Sequence, residues 1–226
     1  PTASASPKLP SRKRSYSGQD VCSSPLVPPA SPRVQDRSPS SPQDSPELST
    51  TVYRLPVCDQ VDAFKCISLE TAADVILGKY AGVVPNVRFV DCRYGFEYGG
   101  GHLPSARNIN MAQDLEAEFL HAPDVSDCPP VLVFHCEFSK NRAPRMMRHL
   151  RNLDRNMHSH CYPELYYPEV YLLKGGYRAF YEAYPELCEG GYVEMLDPAF
   201  RDDCHREHAA TKRSFQSKKR RGAVSR

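Results

Sequence analysis

Val131-Leu132-Val133-Phe134 runs directly into His135-Cys136-Glu137-Phe138-Ser139-Lys140-Asn141-Arg142, and Ala143-Pro144 follows. The apolar run comes after two prolines, the pattern of a short strand buried on both faces. Pro144 fits the first turn of a helix, where its missing N–H costs nothing. The stretch therefore reads as strand, loop and helix, with Cys136 at the carboxyl end of a central strand. Ligands of open α/β sheets bind at that edge. Unpaired amides and the positive end of the helix dipole favour an anion there.

The same field favours a thiolate. A free cysteine titrates near ~8.5, and helix N-termini with neighbouring cations bring it to ~3.5–7.5. Arg142 adds a fixed cation whose planar fork matches two phosphate oxygens, as a lysine would not. Together these parts suit attack on phosphorus and stabilisation of the charge that develops. A cysteine followed six positions later by an arginine is a weak signal by itself. Of the nine cysteines only Cys136 satisfies it, and its place between a buried strand and a proline-opened helix makes the pattern specific. His135 is read as ordering the loop or tuning the thiol rather than as an acid or base.

Outward from this loop, strands and helices alternate. Ser68 can cap a helix through Ile76 that stops near Gly78. Val87 to Cys92 reads as a strand entering a Gly-rich loop, Gly99-Gly100-Gly101. Ile109 marks a short strand and Met111–Leu120 a helix. A helix from Ala143 to about Met157 follows the loop, then a strand at Val170–Leu173 and a helix from Tyr177. The alternation predicts an α/β domain around a mostly parallel sheet flanked by helices.

Charge and proline divide the chain of 226 residues, whose formal total is only +2. Residues 1–50 hold ten prolines and thirteen serines, with six basic and four acidic side chains. Such a stretch buries too little to offset roughly 1–2 kcal/mol of backbone entropy per residue. It is expected to be a disordered regulatory tail. Residues 205–226 carry eight basic residues and one acidic, and are expected to form a second disordered extension, a basic tail. The domain between them, 51–204, is left with a net −7. Nine cysteines without a Cys-x-x-Cys pair, and no hydrophobic signal core, argue against a disulfide framework or zinc finger. No apolar run approaches the ~20 residues that span a bilayer.

Three stretches stand out together: Asp91-Cys92-Arg93-Tyr94-Gly95-Phe96-Glu97-Tyr98 with Gly100-Gly101-His102; His135 through Arg148; and Leu165-Tyr166-Tyr167-Pro168-Glu169-Val170-Tyr171 with Lys174-Gly175-Gly176-Tyr177. They resemble the M-phase inducer phosphatases, dual-specificity enzymes that act on cyclin-dependent kinases. The resemblance covers roughly residues 60–200. It implies a rhodanese-like fold, a cysteinyl-phosphate intermediate, and neither metal nor other cofactor. By position it makes Cys136 the nucleophile and Arg142 the phosphate clamp. The amides of Glu137, Phe138, Ser139, Lys140, Asn141 and Arg142 become the phosphate cradle, supported by Asp91, Arg93 and Glu97. The family usually has a glutamate just before the loop arginine, where this chain has Asn141. The acid that protonates the leaving oxygen is then Glu137, or a proton already on the phosphate. Cys92 corresponds to a second thiol that can form a disulfide with the oxidised nucleophile.

On the helix after the loop, Met146, Met147, Leu150, Leu153 and Met157 fall on one face. Arg145, Arg148, Arg151 and Arg155 fall opposite, a charge run that is either a solvated surface or a docking surface. The resemblance implies that Arg151 and Arg155, with Tyr162, dock the protein substrate. It implies a phosphorylated kinase–cyclin partner, action as a monomer, and residence in nucleus and cytoplasm.

Six Ser-Pro pairs, beginning at Ser6, Ser24, Ser31, Ser38, Ser41 and Ser45, suit proline-directed kinases. Arg12-Lys13-Arg14-Ser15-Tyr16-Ser17 resembles a site for basophilic kinases and a phosphoserine-binding adaptor. Lys218-Lys219-Arg220-Arg221 suits nuclear import or an acidic surface. No aromatic platform accompanies these lysines, which argues against nucleic acid. Rival readings are a rhodanese-type sulfurtransferase, which generally uses a loop one residue shorter, an arsenate reductase of related architecture, and a retired phosphoprotein-binding domain.

Overall fold

The computed structural model describes residues 53–123, 128–161 and 163–223, with side chains through residue 216. All lie in the compact unit that runs from Ser45 to Arg226. The Ser-Pro pairs, the basic segment at Arg12–Ser17 and the docking candidate Tyr162 fall outside the described residues.

A hairpin of β1 (Asp59–Val61) and β2 (Phe64–Ile67) opens the domain, turning at Asp62 in the left-handed region (φ 53°). Helix α1 (Leu69–Ile76) follows, with Ser68 Oγ accepting from the Thr71 amide at 3.0 Å, the capping expected from the sequence. Strand β3 (Val87–Asp91) leads through α2 (Gly95–Gly100), β4 (Gly101–His102) and β5 (Arg107–Asn108) to α3 (Ala112–Phe119). Strand β6 (Val131–His135) is buried throughout and delivers the loop to α4 (Arg142–Met157). The chain ends with β7 (Val170–Leu173), α5 (Gly176–Ala183), β8 (Glu189–Gly190) and α6 (Arg201–Ala223).

The main sheet has the order β1-β2-β7-β6-β3-β5, and every pairing except β1 with β2 is parallel. Strand alternation divides its side chains between two cores. Leu132, Phe134, Val170 and Leu172 pack toward Met146, Met147 and Leu150 of α4. Val131, Val133, Tyr171 and Leu173 pack toward Ala72 and Ala73 of α1 and Phe180 of α5. This two-sided burial is why the central strands are continuous apolar runs. Among the described residues no helix is long and apolar enough to cross a membrane.

Two expectations need correction. The basic segment from residue 205 is not an extension over its described part, but most of α6, packed against the domain. Cys204, Glu207, Thr211, Ser214 and Phe215, at helical spacing, are buried or half-buried on its inner side. The basic composition masked this periodicity. On α4, Met157 was expected to face the sheet but is 40% exposed, because the helix ends there and has passed the edge of the core.

Candidate active site

The loop 136–141 occupies the carboxyl edge of the central strand, between the ends of β3 and β7. Its outer side is clamped by the start of α5. The Tyr177 amide donates to the Cys136 carbonyl at 2.9 Å, and the Arg178 amide to the Glu137 carbonyl at 3.1 Å. A trans peptide points its N–H opposite to its C=O. The amides of Glu137 and Phe138, which belong to those same two peptide units, are therefore turned inward, away from α5. This clamp requires Gly176: with φ 73°, a Cβ there would lie 2.4 Å from the Glu137 oxygen and 2.5 Å from that of Cys136. Ser139, buried and at φ 55°, supplies the bend within the loop.

Cys136 is nearly buried, exposing a small part to a cleft of about 620 Å³. Arg142 lies on the cleft wall. Its NH2 donates to Glu97 Oε1 at 2.9 Å and its NH1 to Glu97 Oε2, a bidentate pair, and the guanidinium sits 4.8 Å from the Tyr94 ring centroid. Glu97 is buried and also accepts from the Tyr94 amide at 2.9 Å. Burial disfavours the charge of Glu97, yet the pair with Arg142 is what holds the guanidinium beside the loop and its cation well protected.

Beneath this pair, Arg93 is wholly buried. It donates to both carboxylate oxygens of Asp91 and to the carbonyls of Glu97 and Gly101, and lies 3.8 Å from the Tyr177 ring centroid. Asp91, Arg93 and Glu97 thus tie the end of β3 to α2 and so to Arg142, the supporting role expected of them. His135 is also wholly buried, with Nδ1 3.8 Å from Asp91 Oδ1. Burial lowers its pKa to about 4, so it is neutral at pH 7 and adds no cation beside the thiol.

Cys92 continues the ladder one residue past the Asp91–His135 pair, its amide donating to the His135 carbonyl at 2.8 Å. It shares the buried cluster of Cys136. Burial, and then the neighbouring Cys136, push its thiol well above the ordinary value. It is thus a protonated, unreactive neighbour in the reduced protein.

Several residues in the cleft or bonded to its lining were not anticipated. Tyr192 Oη donates to Glu137 Oε1 at 2.6 Å. The wall opposite the loop belongs to α6 and contributes His208, Thr211 and Lys212. Tyr94 Oη and His208 Nδ1 lie 3.0 Å apart, and the Gly95 amide donates to Glu207 Oε2 at 2.8 Å. Arg145 points toward this wall, with its guanidinium 3.8 Å from the Phe215 ring centroid.

The remaining arginines separate from Arg145. Arg148, Arg151 and Arg155 line a small pocket of about 180 Å³ with Tyr53, on another face of the helix. Arg155 is exposed. Arg151 is not: it donates to the carbonyls of Tyr167 (2.8 Å) and Pro168 (3.2 Å) and lies 3.6 Å from buried Asp154. The expected single arginine surface is therefore two, because Phe215 of α6 covers one end of α4.

Residues 81–183 match the rhodanese-like domain family. The M-phase inducer phosphatase of Drosophila melanogaster is 37% identical over 199 residues, 81% of this chain. The domain belongs to the M-phase inducer phosphatase family. Human M-phase inducer phosphatase 2 is 40% identical over 167 residues, 72% of the chain. The chain spans 41% and 28% of those two proteins. A solved structure described as a yeast protein tyrosine phosphatase of the rhodanese family is 20% identical, with a TM-score of 0.45, covering 59% of this chain and 96% of that one. The rhodanese-like family agrees with the α/β fold read from the sequence.

Proposed function

We propose that this domain is a cysteine-dependent, dual-specificity protein phosphatase that removes inhibitory phosphates from adjacent phosphothreonine and phosphotyrosine of a cyclin-dependent kinase, and so promotes entry into mitosis. The observation that carries the reading is a thiol on the first residue of a loop whose first two peptide units turn their amides away from α5, with a guanidinium held on the same cleft wall by a buried carboxylate. This geometry suits a tetrahedral dianion, and the similarity to the M-phase inducer phosphatases supports the reading.

In this mechanism the Cys136 thiolate attacks phosphorus as the bond to the leaving oxygen breaks. Inward amides and Arg142 hold the equatorial oxygens and their charge. Glu137 supplies the proton that the leaving oxygen needs. Water then attacks the phosphocysteine and the bonding pair returns to sulfur. When a peroxide oxidises Cys136 to the sulfenic acid, the Cys92 thiol displaces water from it to form a disulfide, protecting it from further oxidation. Arg155, with Arg151 and Tyr162, docks the kinase–cyclin complex away from the cleft. The enzyme acts as a monomer in nucleus and cytoplasm, with the amino-terminal serines as substrates of proline-directed kinases and, once phosphorylated, as a binding site for a phosphoserine-binding adaptor.

The test is turnover of a doubly phosphorylated kinase–cyclin complex compared with the isolated phosphopeptide. Both reactions should vanish in Cys136→Ser, and the complex should be the far better substrate. Turnover of thiosulfate without phosphatase activity would replace this reading with a sulfurtransferase.

A further inference from the structure

Glu137 is itself held by a residue from a distant loop. Tyr192 Oη bonds Oε1, which leaves Oε2 on the side of Arg142, 3.7 Å from NH2. Tyr192 has little freedom to be elsewhere. The neighbouring Gly191 donates its amide to the Gly100 carbonyl at 2.7 Å and accepts from Tyr177 Oη at 2.8 Å. A Cβ on Gly101 would lie 1.9 Å from the Gly191 oxygen, so only glycine permits this approach. Backbone, rather than a flexible side chain, delivers the phenol to the carboxylate. Burial, and then the bond to Glu137, push the phenol's pKa upward, so it remains a donor at neutral pH.

We propose that Tyr192 is the positioning residue of the general acid: its hydroxyl fixes Glu137 Oε1, assigns the transferable proton to Oε2, and stabilises the carboxylate left after transfer. This rests on reading Glu137 as the acid. In the first step the Cys136 Sγ–P bond forms, the P–O bond breaks, and its electron pair stays on the leaving oxygen, which takes the proton from Oε2. In the second, water oxygen bonds phosphorus, the P–S pair returns to Sγ, and the water proton returns to Oε2. Tyr192 keeps its own proton throughout. Its hydrogen bond is stronger to the carboxylate than to the neutral acid, so it favours release of the proton. The benefit is confined to substrates whose leaving oxygen requires one.

The experiment measures kcat/KM on aryl phosphates ranging from strongly acidic phenols to phenyl phosphate, for the parent chain, Tyr192→Phe, Glu137→Gln and the double variant. Tyr192→Phe should lose about tenfold on phenyl phosphate and less than about twofold on the most activated ester. The double variant should match Glu137→Gln. If Glu137→Gln leaves the dependence on leaving group unchanged, the acid assignment fails and Tyr192 falls with it. If Glu137→Gln steepens that dependence while Tyr192→Phe lowers every substrate alike, or adds fully in the double variant, only the role of Tyr192 is overturned. Should Tyr192→Phe not fold, 3-fluorotyrosine at position 192 decides, since it keeps ring and hydroxyl but is more acidic. The alkaline loss of phenyl phosphate turnover should then move to lower pH, and an unmoved limb refutes the proposal.

Discussion

Glu97 grips Arg142 with both carboxylate oxygens across 45 positions of sequence. The carboxylate occupies one part of the guanidinium and leaves its other N–H groups to face the cleft. Glu97→Gln keeps the shape and removes the charge, so the guanidinium is expected to lose its fixed orientation. Affinity for vanadate or inorganic phosphate should drop by about tenfold or more. Inhibition constants in parent and variant measure this. Unchanged affinity would mean that Arg142 is held by its other contacts.

The glycines near the site are not equivalent. Gly176→Ala forces a Cβ against two loop carbonyls at φ 73° and should cost about 3 kcal/mol and abolish phosphatase activity. A Cβ on Gly99, within α2, meets nothing within 4 Å. Gly99→Ala should therefore be neutral or stabilising by about 0.5–1 kcal/mol. Urea unfolding midpoints of the two variants distinguish a required glycine from an incidental one.

Buried His135 makes stability depend on pH. Its folded value, about 4, lies below the ordinary 6.5 because burial opposes the cation. Between these values the unfolded chain binds a proton that the folded chain refuses. The stability contribution is complete above pH 6.5 and is lost as pH falls toward 4, amounting to about 3 kcal/mol. His135→Gln should show a flatter decline of the urea midpoint between pH 7 and 4.5. An identical slope would place the source in other groups.

The two docking arginines should respond differently to charge reversal. Arg155 is exposed, so Arg155→Glu should change stability by no more than about 0.5 kcal/mol while reducing turnover of a kinase–cyclin complex. Arg151 bonds two backbone carbonyls and adjoins buried Asp154. Arg151→Glu should additionally lower stability by about 2 kcal/mol or more. Melting temperatures, read beside activity on a small aryl phosphate, separate docking from folding.

The β6–loop–α4 unit was legible because its determinants are local: an apolar run, a spacing of six and Pro144. Ser68 was legible for the same reason. The β1–β2 hairpin was not, since Asp59-Gln60-Val61 is exposed and has no apolar alternation to read. Helix α6 was hidden because composition dominated periodicity over 205–221. Glu97 was legible as support, but its partner was not, because the pair joins elements that only the sheet brings together. Tyr192 left no local trace at all. Gly99-Gly100-Gly101 read as a Gly-rich loop, whereas Gly100 and Gly101 accommodate the close approach of β8 and the residues just after it.

The head of α4 carries one further consequence. Asn141 makes no side-chain bond to the amides of the first turn, and no acidic residue lies there to meet the helix dipole. Most helices complete their own beginnings with a serine, threonine or aspartate. In α4 the phosphate itself would be the terminating residue, supplied by another protein and removed by the reaction. Binding would then finish the helix, and each turnover would leave it unfinished again.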